Sequence, residues 1–132
     1  MKKLMSLFVL VAVIGSISTS GQTTAYKMSE RNTAFAQQMQ KEFVDNAIRN
    51  METADKMLQL SDLQKDEIVY IHLMYSKRTQ ILTDNGASAA EINQHTSNMM
   101  DMALNDYARV LNDTQKAMLN ENREILKSKL LE

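Results

Sequence analysis

The chain has 132 residues, with 15 lysines and arginines against 16 aspartates and glutamates, which gives a formal net charge of −1. A nearly balanced charge without a basic run argues against a nucleic-acid partner. The chain has no cysteine, so it has neither a disulfide framework nor a cysteine for lipid attachment. It also has no proline, and its length fits a single domain.

The N-terminal residues have the three-part pattern of a secretory signal peptide. Lys2 and Lys3 precede the apolar run LMSLFVLVAVIG, and the small polar stretch SISTSGQTTA follows it. The apolar run is shorter than the roughly 20 residues of a membrane-spanning helix, so we expect cleavage and no stable membrane anchor. We predict a signal peptide at 1–22, with the cleavage site between 20 and 25, and a single helical domain at 26–132. We expect this domain to be secreted across the inner membrane and to reside in the periplasm.

A short motif occurs twice, as LSDLQK at 60–65 and LNDTQK at 111–116, at an offset of 51 residues. A serine or asparagine at a helix N-cap accepts a hydrogen bond from a first-turn backbone N–H. A glutamine three residues later accepts one from the N-cap, and the leucine before the cap can pack against the first turn. Each copy therefore predicts a helix start, built from Leu60, Ser61 and Gln64 in the first copy and from Leu111, Asn112 and Gln115 in the second.

The spacing of apolar residues predicts an all-α chain with four helices, at about 29–58, 62–83, 88–110 and 113–130. The centre of the second helix, IVYIHLMY at 68–75, is apolar on every side except at His72 and would also suit a buried strand. We predict a helix there, because a cap precedes it and no partner strand is visible. A helix that is apolar all round needs covering on several sides, which favours a homodimer.

The motifs LSDLQ and LNDTQ resemble the paired LTxxQ motifs of the Spy/CpxP-type family of periplasmic stress proteins. Ser61 and Asn112 stand where that family has threonine. The signal peptide, the all-helical mature part and the methionine-rich helices extend the similarity over the whole mature chain. The resemblance implies a four-helix, long bent hairpin and two chains clasped into a shallow cradle. It also implies a role in envelope stress, as an ATP-independent holdase-type chaperone or a stress-signalling accessory protein.

The methionine content also favours a holdase. Methionine is flexible and polarizable, and surfaces that bind many different partners are rich in it. Most methionines at helical spacing are nevertheless core residues. Met74 and Met102 lie off or at the edge of their apolar stripes, so we predict that these two contact unfolded or partly folded client proteins.

The alternative function is a periplasmic metal-binding protein for copper or zinc, and some members of the resembling family bind metals. His95, Met99, Met102 and Asp106 recur at i, i+4, i+7 and i+11 on one shoulder of the third predicted helix, and imidazole with thioether suits Cu(I). We expect His72, in contrast, to be a buried or interface histidine bonded to a neighbour and not a ligand. The sequence has no nucleophile–base pattern and no glycine-rich loop, so we expect neither an enzyme nor a bound cofactor.

Overall fold

The computed structural model describes residues 26–132, so the predicted signal peptide lies outside the described residues. The helices are α1 (Glu30–Ala36), α2 (Lys41–Leu58), α3 (Asp62–Asp84), α4 (Ala89–Asp106) and α5 (Asp113–Leu130), with a 3-10 turn at Tyr107–Arg109. The all-α prediction is confirmed, and so is the helical prediction for 68–75, which lies inside α3. Within 26–132, no helix is both long and apolar enough to cross a membrane.

The first predicted helix, at 29–58, is wrong in one respect, because the chain leaves the helix at 37–40 and the four predicted helices become five. The residues at the break read QQMQ, which have good helix propensity. Two hydrogen bonds from side chains of α3 hold the chain out of the helix at this break. Gln80 Oε1 accepts a hydrogen bond from the backbone N–H of Gln40 (2.8 Å), and Lys77 Nζ donates to the carbonyl of Gln38 (2.9 Å). Tertiary hydrogen bonds therefore override the local preference.

Consecutive long helices pack antiparallel. Asn50 of α2 lies beside His72 of α3, and Arg123 of α5 donates to the carbonyl of Asp101 in α4 (3.0 Å). α3 is contacted by α1, α2 and α4, and α5 packs against α2 and α4. The largest fully buried apolar side chains come from several different elements: Met51, Leu58, Ile68, Leu73, Leu104, Tyr107 and Leu126. One chain thus covers most of α3 by itself.

The short helix α1 is attached to α3 by a polar cluster around Asp66. Asn32 is completely buried, and its Nδ2 donates to both the backbone carbonyl and the carboxylate of Asp66 (2.9 Å each). The Tyr26 hydroxyl donates to the same carboxylate (2.6 Å), as does the Ser29 backbone N–H (3.2 Å). Burial raises the pKa of Asp66, but the hydrogen bonds from Tyr26 and Ser29 and the nearby charge of Arg31 outweigh it and hold the pKa below its ordinary value. α1 is thus anchored by hydrogen bonds to an ionised carboxylate.

Gln59 ends α2 in the left-handed conformation, with φ 55° and ψ 67°. This conformation costs a residue with a Cβ about 1–2 kcal/mol, whereas glycine adopts it freely and loses some of that gain through unfolded-state entropy. We therefore expect Gln59→Gly to raise the free energy of unfolding by about 0.5–1 kcal/mol in urea melts. Gln94→Gly, at an exposed site within α4, is the matched control and should lower stability by about 1 kcal/mol. A loss in both variants would contradict the prediction.

Candidate functional site

Both copies of the repeated motif form reciprocal capping boxes. At α3, Ser61 Oγ accepts from the Gln64 backbone N–H (3.2 Å), while Gln64 Oε1 accepts from the Ser61 N–H (2.9 Å). At α5, Asn112 Oδ1 accepts from the Gln115 N–H (2.9 Å), while Gln115 Oε1 accepts from the Asn112 N–H (3.0 Å). The leucine before each cap, Leu60 or Leu111, is buried in the core. Each motif therefore starts a helix and anchors that start.

The two capping glutamines also bind each other across the molecule. Gln64 Nε2 donates to Gln115 Oε1 (2.7 Å), and Gln115 Nε2 donates to Gln64 Oε1 (3.0 Å). Gln64 Nε2 also donates to the carbonyl of Val110 (3.1 Å), and Gln115 Nε2 donates to that of Gln59 (3.2 Å). Gln59 and Val110 are separated by the same 51 residues as the two glutamines. We call this pair, Gln64 with Gln115, the glutamine clasp.

The glutamine clasp joins four chain segments at one point. These are the end of α2, the start of α3, the residues after the 3-10 turn and the start of α5. Gln115 is only 6% exposed, so its amide depends on protein partners, and the clasp supplies them. The motif repeat indicates two similar helix starts, but the sequence gives no direct sign that the two starts meet.

A second polar group lies deep between α2, α3 and the 3-10 turn. His72 is 2% exposed, and its Nε2 lies 2.5 Å from the Tyr107 hydroxyl. The Asn50 amide donates to Nδ1 (3.5 Å), so the proton of the neutral ring is on Nε2 and faces Tyr107. Burial lowers the pKa of His72 to about 4 and raises the pKa of Tyr107 above its ordinary value. The prediction that His72 is buried and bonded to a neighbour is confirmed.

A cleft of about 450 Å³ opens between α2, α3 and α4. Hydroxyl groups from Ser76, Thr79, Thr83 and Thr96 line it, together with the edge of His72. His72 uses both ring nitrogens, one on Tyr107 and one on Asn50. Neither nitrogen is therefore free to act as a base for Ser76, which lies one helical turn away. Glu42 and Arg49 of α2 also line the cleft, so its wall carries charged groups as well as hydroxyl groups.

The two methionines predicted as client contacts lie in different surroundings. Met102 of α4 is 43% exposed. Met74 is half-buried on α3, in a groove of about 390 Å³ that is also lined by Leu63, Tyr70 and Val110. Met102 therefore presents its side chain to solvent directly, whereas Met74 forms part of an apolar groove.

Two of the four predicted metal ligands, Asp106 and Met99, have partners elsewhere in the chain. The carboxylate of Asp106 accepts from the Tyr75 hydroxyl (2.5 Å) and pairs with Arg109 (2.9 Å). Met99 Sδ accepts from Arg78 (3.9 Å). His95 Nε2 is buried without a hydrogen-bond partner among the described residues. Within 26–132, no three histidine or carboxylate side chains form a group that could hold a metal ion. The hypothesis of a copper or zinc site at His95, Met99, Met102 and Asp106 stays a prediction.

The candidates for function are therefore the exposed Met102, the groove around Met74, and the cleft between α2, α3 and α4. The glutamine clasp and the hydrogen bonds of His72 hold the helices of this scaffold together. Sequence reasoning missed both the clasp and the groove around Met74, since each depends on residues far apart in the chain. Comparisons of the chain with protein-family models, with curated proteins and with solved structures found no match.

Proposed function

We propose that the protein is an extracytoplasmic, ATP-independent holdase that binds unfolded or partly folded proteins and works as a homodimer of long, bent helical hairpins. One observation carries the proposal. Five large apolar side chains are exposed on the described part of the chain: Leu63 (75%), Ile125 (54%), Ile81 (48%), Met102 (43%) and Leu131 (41%). They are spread over α3, α4 and the α5 region, so they offer several separate contacts instead of one shaped pocket. Partners without a fixed shape can engage such separate contacts in different combinations, as promiscuous binders do with surfaces that repack.

The scaffold beneath this surface supports the same proposal. Hydrogen bonds of the clasp, of His72 and of Asp66 link the helices to one another at three separate places. Fully satisfied buried polar networks favour one helix arrangement over others. The exposed side chains can therefore remain exposed without collapsing into a different core.

The holdase function is tested by the aggregation of a chemically denatured client, followed by light scattering without ATP. We expect the protein to suppress scattering near equimolar ratios. Replacing two exposed apolar residues on different helices, as in the double variant Met102→Lys/Ile125→Lys, should raise the required ratio several-fold, because charges remove apolar contact area. A tenfold excess of the unaltered protein that leaves scattering unchanged would refute the holdase function.

The matched control is the double variant Asn98→Lys/Asn120→Lys. These asparagines are exposed on the same two helices, α4 and α5, and the variant adds the same two positive charges. We expect it to suppress aggregation as well as the unaltered protein does. Equal losses in both double variants would show that added charge, and not lost apolar surface, weakens client binding.

A further inference from the structure

The outer face of α3 carries a regular stripe of six residues. Along the helix they are spaced alternately by four and three residues, which places them on one side of an α-helix. We call this stripe the α3 seam, and it consists of Leu63, Glu67, Tyr70, Met74, Lys77 and Ile81. It extends over the 19 residues from 63 to 81, a rise of about 27 Å. The residues at its two ends are the most exposed large apolar side chains of α3, Leu63 at 75% and Ile81 at 48%.

The described chain borders the seam and also covers part of it, since Arg31 pairs with Glu67 (3.2 Å) and Phe35 packs edge-on against the Tyr70 ring. The opposite side of α3, with His72, faces α2. On one flank, Arg31 of α1 lies over the Tyr70 ring, 4.2 Å from its centroid. On the other flank, Arg109 and Val110 form a wall of the groove that contains Met74. The seam is therefore a shallow, mainly apolar track that α1 covers in part, and it is long enough for a second helix.

The seam complements itself when two copies run antiparallel with their centres at position 72. In that register, each residue meets the one at the mirrored distance from position 72. Leu63 then faces the partner's Ile81, Glu67 faces the partner's Lys77, and Tyr70 faces the partner's Met74. All six positions have partners of matching character, and both charged positions meet the opposite charge.

Other arrangements lose this match. A parallel pair would place Glu67 against Glu67 and Lys77 against Lys77, which is repulsive. Sliding one antiparallel copy by seven residues would separate Glu67 from Lys77 and leave one end of the seam uncovered. The charge order along the helix therefore selects a single direction and a single register.

Both charged side chains have capacity for a further partner. The Glu67 side chain is 40% exposed, and among residues 26–132 its ion pair is with Arg31 at 3.2 Å. Lys77 gives one donor to the Gln38 carbonyl and has two more. Pairs of this kind at an interface set direction and register, while apolar burial supplies most of the affinity.

From these features we infer that the α3 seam binds the α3 seam of a second copy of this chain, antiparallel and centred on position 72. The inference rests on the homodimer of the proposed function and identifies its contact face. It assigns Leu63, Met74 and Ile81 to contact between copies, and it leaves Met102, Ile125 and Leu131 for clients.

Two single variants test this pairing by sedimentation or light scattering without any client, so the result does not depend on holdase activity. In Glu67→Lys, both inter-chain pairs become lysine against lysine. In Lys77→Glu, both become glutamate against glutamate. We expect each variant alone to dimerise at least about tenfold more weakly than the unaltered protein, since like charges now meet twice across the two-fold axis.

An equal mixture of the two variants is the decisive sample. In the mixed pair, one chain has lysine at both seam positions and the other has glutamate at both, so each inter-chain contact again joins opposite charges. Dimerisation should return to within about threefold of the parent, although each chain keeps any internal loss, such as that of the Glu67 to Arg31 ion pair. Glu124→Lys, on the exposed face of α5, is the charge-matched control and should dimerise normally. A monomeric parent, unweakened single variants, or a mixture that fails to recover would each overturn the inference.

Discussion

Replacing Gln115 by glutamate is expected to lower the free energy of unfolding by about 3–5 kcal/mol at pH 7. The Gln115 Nε2 group donates to the carbonyls of Leu58 and Gln59 and to the Gln64 side chain. A carboxylate has no donor, so it would place a negative charge against three oxygen atoms at a site that is 6% exposed. A buried charge without a partner is among the most destabilising changes that one substitution makes. Chemical denaturation followed by circular dichroism measures the loss.

Gln94→Glu on α4 is the matched control for this substitution. Gln94 is exposed and lies outside the clasp, so the change should alter stability by less than about 0.5 kcal/mol. The clasp also predicts coupling between its two members. Because each glutamine loses its partner when the other is truncated, Gln64→Ala and Gln115→Ala together should cost less than the sum of their separate effects. Additive losses, or a Gln115→Glu variant as stable as the control, would show that the clasp contributes little.

The helix starts of α3 and α5 could be predicted from the sequence because capping is a local interaction. Ser61 with Gln64, and Asn112 with Gln115, are three residues apart, so their hydrogen bonds depend only on the first turn of each helix. The meeting of the two glutamines depends instead on how α2, α3 and α5 pack. The repeat of the motif indicates two similar helix starts, but it does not indicate that the two starts are neighbours.

The break between α1 and α2 shows the opposite case. Gln37 to Gln40 have no local reason to leave a helix, and the reason lies in Lys77 and Gln80, about 40 residues further along the chain. The attachment of Asn32 to Asp66 is similar, since a buried asparagine has no signature in apolar periodicity. The α3 seam lies between these cases. Its spacing can be read from the sequence, but only the packing of α1, α2 and α4 shows which face of an apolar helix stays outside.

Lowering the pH from 7 to 4 is expected to remove about 3 kcal/mol of stability through His72 alone. Burial lowers the pKa of His72 from 6.5 to about 4 in the folded protein. Below pH 6.5 His72 binds a proton in the unfolded chain but stays neutral in the folded protein. The stabilisation that comes from keeping His72 neutral is therefore fully present above pH 6.5. This stabilisation decreases as the pH falls below 6.5. The decrease levels off near pH 4, where His72 of the folded protein is protonated as well. Urea melts at a series of pH values give the profile.

Two variants separate His72 from the carboxylates, which also titrate in acid. In His72→Gln, an amide still donates to the Tyr107 hydroxyl but does not titrate, so the stability difference between pH 7 and pH 4 should shrink by about 3 kcal/mol. In Tyr107→Phe, the hydroxyl partner is removed while the ring stays buried, and the acid-dependent loss should remain, because burial is the cause of the low pKa of His72. If His72→Gln keeps the full loss, the acid sensitivity arises elsewhere, with the Asp66 cluster under α1 as the next group to test. If Tyr107→Phe abolishes the loss, the hydroxyl and not the burial keeps His72 neutral.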